Sequence, residues 1–404
     1  MEDPEPHAPP LAPPLTLRAR ADAREGDAGP RDFGVVMGGG GARAAYQVGF
    51  LRCLARRYPH MRIPYLTGVS AGAINAAHLA SHHGTFLQAV DELSHLWGDL
   101  RVEDIFRVGG ISLARNVWRW GAQLLSGGAG HTRIRGLVDT EPLRDFLTEA
   151  LHAVDGELTG IGYNLDAARL RAVAVSTASY ETGQSVTWVQ GQDIDEWERP
   201  RRIARKTRLT VEHIMASTAL PLFFPAVEVE GGWYGDGGMR LTAPLSPVLH
   251  LGADRIVAVS TRYDRSSAEA ARPVVDGYPP PAQVVGVLMN SIFLDLLDAD
   301  AVRLERINRL VRRLPPDQRG GLRQIRLLTL RPSRDLGRLA RGYEPQLPGS
   351  FRFLLRGLGT RDTESPDFLS LILFQPDYLR ALMEIGEEDA ERRGDEIVEF
   401  LEAD

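Results

Sequence analysis

The chain has 404 residues, 43% of them hydrophobic and 25% charged, which is typical of a globular protein with ample material for a core. Its formal net charge of -6 gives no reason to expect a nucleic-acid partner, because such proteins carry a basic face. The single cysteine, Cys53, rules out an intrachain disulfide framework. No secretory signal or apolar run of about 18 residues is recognisable, so we expect a cytoplasmic protein without a membrane-spanning helix.

The first part of the chain alternates between strand-like and helix-like segments. Residues 1–31 are rich in proline, alanine, aspartate and arginine and are expected to form a disordered tail. Strands are predicted at 33–37 and 65–67, and helices from Ala45 and over 72–81. This alternation predicts an α/β fold whose central, mostly parallel sheet is flanked by helices.

The later segments indicate how the chain is divided. Strands are predicted at 170–179, 185–191, 254–261 and 323–332, a long helix at 282–313, and a helix after Pro376. The double proline at 315–316 ends the long helix. We therefore expect a main domain over residues 32–313 and a C-terminal extension over 314–404, with one strand and then helices packed on the main domain.

The segment "ISLARNVWRWGAQLL", residues 111–125, is the most unusual part of the chain. It carries tryptophans, leucines and arginines between two glycine-rich stretches. One interpretation is a lid or an interfacial helix that touches lipid. The other is an ordinary helix that packs its tryptophans on the core, which we favour.

Ser70 lies in the G-x-S-x-G stretch "GVSAG", between a predicted strand and a predicted helix. A serine at such a turn is held in a strained, accessible position, and the helix that follows directs its N–H groups towards it. These features are typical of a nucleophile. A helix-capping serine in a glycine-lined turn is the alternative.

Four consecutive glycines, residues 38–41, follow the first strand. Glycines allow backbone N–H groups to converge on one point, which suits an oxyanion formed during acyl transfer. The run could also bind a phosphate, but it matches neither the P-loop nor the G-x-G-x-x-G pattern. A plain glycine turn is the third possibility.

A nucleophilic Ser70 also needs a general base that accepts its proton, and the candidates are histidines and an aspartate. The ten histidines make a Ser-His-Asp triad worth weighing. His78, His82 and His83 lie on or beyond the helix that follows Ser70, and neither His213 nor His250 lies in a glycine-flanked loop at a strand end. Asp236, in "GGWYGDGG", lies between glycines after a strand-like segment, where a carboxylate can act as a base. Its alternative is an aspartate that caps an Asx-turn.

Three ordered segments, "GVVMGGGGARAAYQVGFL", "TGVSAGAINA" and "MASTALPLFFPAVEVEGGWYGDGGMRLTAPL", resemble the three blocks of the patatin-like phospholipase family. The resemblance implies the patatin-like three-layer α/β architecture over residues 32–313 and a Ser-Asp dyad of Ser70 and Asp236. It further implies an oxyanion loop of Gly39, Gly40 and Gly41, with Arg43 in the basic position after it. Arg43 would either stabilise that loop or meet a lipid phosphate.

The function implied by the resemblance is hydrolysis of lipid acyl esters, of the phospholipase A or lysophospholipase type, through an acyl-serine. No metal or cofactor is implied, and the substrate class makes peripheral membrane contact an expectation. Two alternatives stay open: a lipid- or partner-binding protein that has lost turnover, and a general esterase or thioesterase with a Ser-His-Asp triad. The sequence leaves the head group, chain length and oligomeric state open.

Overall fold

The computed structural model of the protein describes residues 33–107, 136–271, 275, 277–357, 359–360, 363 and 366–402. The predicted disordered tail, residues 1–31, and the tryptophan-rich segment, residues 111–125, lie outside the described residues. The disorder of the tail and the two interpretations of the tryptophan-rich segment therefore stay predictions.

Ten strands form one mixed sheet, ordered β10-β9-β1-β2-β3-β4-β6-β5, with β8 added to β3 and β7 added to β8. The five strands from β10 to β3 in this order run parallel to one another, as the alternation of strands and helices predicts. The strands are β1 Phe33–Met37, β2 Tyr65–Val69, β3 Ala172–Ser179, β4 Ser185–Gly191, β5 Glu198–Arg199, β6 Arg202–Lys206, β7 Val227–Val229, β8 Gly232–Asp236, β9 Arg255–Val259 and β10 Arg326–Leu330.

Helices cover both faces of the sheet. Within the described residues they are α1 Ala45–Arg57, α2 Ala71–Ser81, α3 Phe86–Asp99, α4 Val102–Ile105, α5 Glu141–Ala150, α6 Thr159–Asp166, α7 Val211–Thr218, α8 Ser246–Leu251, α9 Ser267–Ala270, α10 Pro281–Phe293, α11 Leu296–Arg313, α12 Leu336–Ala340, α13 Gly349–Gly357, α14 Asp367–Ile372, α15 Pro376–Arg392 and α16 Gly394–Glu402.

The two faces of the sheet bury separate cores. Successive strand residues point to opposite faces, so Val35 joins the larger core under α1, α2 and α15, while Val36 joins the smaller core under α8 and α11. The result is three layers, helices on a sheet on helices, and the predicted α/β fold class is confirmed.

The C-terminal extension contributes to the same sheet and core. β10 pairs in parallel with β9, and α15 packs so closely on α1 that a side chain at Gly49 would collide with the Met383 carbonyl. The Tyr46 hydroxyl donates a hydrogen bond to Asp389 Oδ2 at 3.2 Å.

Three local predictions were wrong in detail. The predicted helix over 282–313 is two helices, α10 and α11, separated at residues 294–295. The segment "VEVEGGWY", interpreted as strand-like throughout, is the hairpin of β7 and β8, and β6 was not predicted. Strand formation depends on the pairing partners and on burial in the folded sheet, which a local pattern does not contain.

Within the described part of the chain, one stretch, Pro281–Arg313, is long and apolar enough by length and composition to cross a membrane. It corresponds to α10 and α11. α10 has 13 residues, fewer than the roughly 20 that a crossing needs, and α11 carries charged residues along its length. The stretch is therefore not one continuous apolar helix of membrane-spanning length.

Candidate active site

Ser70 lies at the turn between β2 and α2, with φ 56° and ψ -135°. A positive φ is costly for a residue with a side chain, so the surrounding contacts must hold it. The Ser70 N–H donates to Ser217 Oγ at 3.0 Å, and that hydroxyl donates to the Ser176 carbonyl at 2.8 Å. Gly72 is required because a side chain there would collide with the carbonyls of Met37 and Gly38.

The Ser70 side chain does not cap helix α2. Ser70 occupies the N-cap position, but its hydroxyl accepts no hydrogen bond from the first turn. The capping alternative is therefore not supported, and the hydroxyl stays available for other chemistry. The side chain is only 4% exposed, at the N-terminal, positive end of an 11-residue helix.

Sheet register explains how Asp236 comes close to Ser70. β2 pairs with the first part of β3, ending at Val69 opposite Ser176. β8 pairs with the rest of β3 and ends with Asp236 opposite Thr177. β2 and β8 thus meet end to end along one edge of β3, and each ends at a candidate catalytic residue.

The Asp236 carboxyl is fully buried, with 0% exposure. Its Oδ1 accepts the Gly238 N–H at 2.9 Å, an Asx-turn, while its Oδ2 has no hydrogen-bond partner among the described residues. Burial raises the pKa of Asp236 to about 7, and the nearby Ser70 hydroxyl and the Gly238 N–H, both of which favour the charged carboxylate, oppose this rise. The Asx-turn is therefore compatible with a base, because the turn uses Oδ1 and leaves Oδ2 without a hydrogen bond within the described part of the chain.

The glycine run lies directly against Ser70. A side chain at Gly39 would come within 3.1 Å of Ser70 Cβ and 3.8 Å of its Oγ. Among the described residues, no acceptor is bonded to the N–H groups of Gly39 and Gly40, so both donors are free, and Gly39 lies against the serine. Gly41 has φ +53°, and a side chain there would collide with the Leu371 carbonyl.

A chain of buried side chains fixes the glycine loop from behind. Gln47 Nε2 donates to the Gly38 carbonyl at 2.8 Å, and Asn75 Nδ2 donates to Gln47 Oε1 at 2.9 Å. Trp97 Nε1 donates to Asn75 Oδ1 at 2.8 Å. On the other side, Thr261 Oγ1 donates to the Gly39 carbonyl at 2.7 Å. These side chains bind the carbonyl groups of the loop and leave the N–H groups of Gly39 and Gly40 available.

Arg43 is directed towards the C-terminal extension instead of an open site. Its side chain is 3% exposed, with Nη2 at 2.6 Å from Asp367 Oδ1 and Nε at 2.7 Å from Ser370 Oγ. Asp367 Oδ2 also accepts Asn290 Nδ2 at 2.7 Å. These contacts engage the guanidinium within the protein. Of its two predicted roles, the geometry favours stabilising the loop.

Sequence reasoning missed Ser217, Asp367 and Ser370. Ser217 lies within the quoted segment "MASTALP", but nothing local indicates that its hydroxyl reaches Ser70. Asp367 and Ser370 lie in the extension, more than 300 positions from Arg43. No sequence pattern signals contacts at that separation.

The histidines whose ring contacts the structure describes are engaged elsewhere. His78 bonds the carbonyls of Ala150 and Ala89. His213 bonds Thr210, and burial lowers its pKa to about 4. His250 stacks on Trp197. None of these rings bonds to Ser70, which gives no support to a Ser-His-Asp triad.

A small apolar cavity of about 30 Å³ opens beside Ser70, room for one or two chain atoms. A larger cleft of about 360 Å³ lies between the start of α3 and the end of α2 and does not include Ser70. We locate the candidate site by the nucleophile instead of by size. The cavity is lined by Gly41, Ser70, Ala71, Ile74, Trp97, Leu100, Ile105, Leu143, Thr218, Leu220, Phe224, Leu371 and Phe374.

Comparison with known proteins identifies the family. The patatin-like phospholipase model matches residues 35–249, more than half of the chain, so the chain belongs to the patatin-like phospholipase family. Membership supports lipid ester hydrolysis at the level of the family. The match contains the serine turn, the glycine run and the Asp236 loop, and it ends before β9.

Several solved structures are similar at low identity. VipD from Legionella pneumophila is 12% identical, with a TM-score of 0.36, and the match covers 91% of this chain and 67% of VipD. Human GIVD cytosolic phospholipase A2 is 11% identical, with a TM-score of 0.45, covering 92% of this chain and 62% of the human one. The type III effector ExoU is 13% identical, with a TM-score of 0.35, covering 91% and 53%; ExoU comes from Pseudomonas aeruginosa.

The chain thus spans 53–67% of the length of these three proteins. No curated protein matches the chain.

Proposed function

We propose that the protein hydrolyses acyl esters of lipids with Ser70 as nucleophile and Asp236 as general base. One observation carries the proposal: a fully buried carboxyl with a free oxygen, Asp236 Oδ2, lies beside the hydroxyl of a serine held in a strained turn. A base whose pKa lies near 7 is partly ionised at neutral pH and still basic enough to accept a hydroxyl proton.

The reaction would proceed in two halves. Ser70 Oγ attacks the ester carbonyl as its proton passes to Asp236, and the proton then passes to the departing alcohol, leaving an acyl-serine. Water next gives a proton to Asp236 and attacks the acyl-serine. The fatty acid leaves, and the proton returns to Ser70 Oγ, so the enzyme is regenerated.

The developing oxyanion would be held by the free N–H groups of Gly39 and Gly40, with Gly41 shaping the loop. Removal of one such donor typically costs about 3 kcal/mol of transition-state stabilisation. The start of α2 adds the positive end of its dipole. In this proposal Arg43 keeps the glycine loop in place without touching substrate.

The apolar cavity beside Ser70 supports an acyl group as the part of the substrate nearest the nucleophile, because its lining is dominated by aliphatic and aromatic side chains. At about 30 Å³ it holds only the first atoms of a chain. A longer chain would extend beyond this cavity.

The test compares wild type, Ser70→Ala and Asp236→Asn for hydrolysis of a medium-chain p-nitrophenyl ester, with circular dichroism as the folding control. The proposal expects both variants to be inactive and folded. Activity that survives in Asp236→Asn would favour the histidine triad. An inactive wild type that also fails with phospholipid and does not react with a fluorophosphonate probe would favour the binding-protein alternative.

A further inference from the structure

The apolar cavity beside Ser70 ends inside the protein on fully buried side chains. Trp97, Ile105 and Leu143 are each 2% exposed, and they line the cavity together with Ser70. Leu220 also lines it but is only half-buried, so the outer end of the cavity lies on that side. The cavity is therefore a short pocket that runs from the nucleophile into the core.

The position of Trp97 is fixed by the same side chains that hold the glycine loop. Trp97 Nε1 donates to Asn75 Oδ1 at 2.8 Å. Asn75 Nδ2 in turn donates to Gln47 Oε1, and Gln47 Nε2 donates to the Gly38 carbonyl. A rotation of the indole that lengthened the pocket would break its hydrogen bond to Asn75, and an unpaired buried polar group is costly. The pocket therefore cannot grow at Trp97 without disturbing the support of the glycine loop.

The wall formed by Phe224 is supported by further aromatic rings. The centroids of Phe224 and Phe106 are 6.0 Å apart. Phe106 also meets Phe223 and Phe351, with centroids 5.4 Å apart in each pair. Extra methylene groups that enter a closely packed core force side chains out of their preferred rotamers. This wall therefore resists a chain longer than the pocket.

We propose that this pocket limits the acyl group of the substrate to a short chain, and that Trp97, Ile105 and Leu143 set the limit. The proposal rests on the proposed function, since the pocket receives an acyl group only if Ser70 is the nucleophile. A volume of about 30 Å³ holds about two chain atoms. The substrate class is thus an ester of a short-chain acid, and the bulk of a lipid substrate lies in its alcohol part.

The strength of the discrimination follows from the fit of the chain. A methylene group more or less in a hydrophobic pocket changes kcat/KM by about 10- to 200-fold. A chain longer than the pocket must either displace the buried walls or leave its end in contact with water, and both lower kcat/KM. We expect kcat/KM for p-nitrophenyl octanoate to lie at least about 10-fold below that for p-nitrophenyl butyrate.

The experiment compares kcat/KM for the p-nitrophenyl esters of acetate, butyrate, octanoate and laurate. The test variant is Leu143→Ala, which lengthens the pocket, and we expect its octanoate-to-butyrate ratio to rise on the order of 10-fold. The matched control is Leu147→Ala. Leu147 lies one turn further along α5 and is also fully buried, but it is not among the residues that line the pocket. The control should keep the wild-type ratio while losing stability as the test variant does.

A milder variant tests the same wall if Leu143→Ala does not fold. Ile105→Val removes a single methyl group from the lining. We expect it to raise the octanoate-to-butyrate ratio by about fourfold, the value of one buried methylene group. Circular dichroism of each variant shows whether it is folded.

Failure of this proposal and failure of the proposed function give different results. A wild type that hydrolyses octanoate or laurate as fast as butyrate would overturn the limit on chain length and leave the catalytic proposal intact. An unchanged ratio in folded Leu143→Ala and Ile105→Val, or an equal change in Leu147→Ala, would do the same. Full activity in Ser70→Ala, or no activity of the wild type on any ester, would overturn the proposed function, and this proposal falls with it.

Discussion

Replacing Asp236 by asparagine should stabilise the folded protein, and the gain should grow with pH. Burial raises the pKa of the carboxyl from 3.8 to about 7 in the folded state. In the folded state the carboxyl keeps its proton to a higher pH than in the unfolded state. The free energy of unfolding of the wild type therefore falls as pH rises from about 4 to about 7, and it does not fall further above that. Asparagine does not titrate, so the variant avoids this loss.

The magnitude follows from the two pKa values. A tenfold difference in acidity corresponds to about 1.4 kcal/mol. The burial of Asp236 therefore costs the wild type about 2 kcal/mol at pH 5 and about 4 kcal/mol at pH 8. We expect the advantage of Asp236→Asn in free energy of unfolding to widen by about 2 kcal/mol between these pH values.

Urea unfolding of wild type and Asp236→Asn at pH 5 and pH 8 measures this difference. The matched control is Asp145→Asn, an exposed aspartate of α5, which should change stability by less than about 0.5 kcal/mol at both pH values. An advantage of Asp236→Asn that does not change with pH would refute the reasoning, because the buried carboxyl would then titrate like a solvated one.

Three further substitutions test the supports of the site. Ser217→Ala leaves the Ser70 N–H unpaired and should cost about 2 kcal/mol of stability, with kcat for ester hydrolysis lowered roughly tenfold at unchanged KM. Asp367→Asn removes the charge that pairs with buried Arg43 and should lower the free energy of unfolding by about 3 kcal/mol, measured in urea. Gly41→Ala forces the oxyanion loop to shift and should lower kcat by roughly 100-fold, measured on a soluble ester.

Matched controls separate these effects from general damage. Ser94→Ala removes a hydroxyl that donates to the Val90 carbonyl within α3, and Asp377→Asn removes an exposed carboxylate. Gly162→Ala adds a methyl group to α6, where no described residue has an atom within 4 Å of it. If a control variant lowers the free energy of unfolding or kcat as much as the variant to which it is matched, the assigned contact is not the cause of the effect.

The central strands could be predicted because their signals are local. β1, β2, β3 and β9 are short apolar runs next to glycine or helix patterns, and buried parallel strands produce such runs. β6 carries three charged residues in five, so no apolar pattern marked it. The break between α10 and α11 was hidden because the apolar spacing continues through it.

Ser70, Asp236 and the glycines could be proposed from the sequence because each lies in a glycine-flanked motif. The family resemblance implied that Ser70 and Asp236 act together, but the residues themselves do not show it, because their proximity depends on β2 and β8 sharing one edge of β3. The surroundings of Arg43 were equally hidden, since Asp367 lies in a different part of the chain. Local motifs indicate chemistry, whereas the supporting contacts depend on the tertiary fold.

The most direct test of the Ser70–Asp236 proposal is the rate at which a fluorophosphonate labels the protein between pH 5 and pH 9, with the labelled residue located by peptide mass spectrometry. The wild type should be labelled on Ser70 at a rate that rises with pH through about 7, as Asp236 loses its proton. Asp236→Asn should be labelled slowly at every pH. Labelling of Asp236→Asn as fast as wild type, or labelling at another residue, would contradict the account.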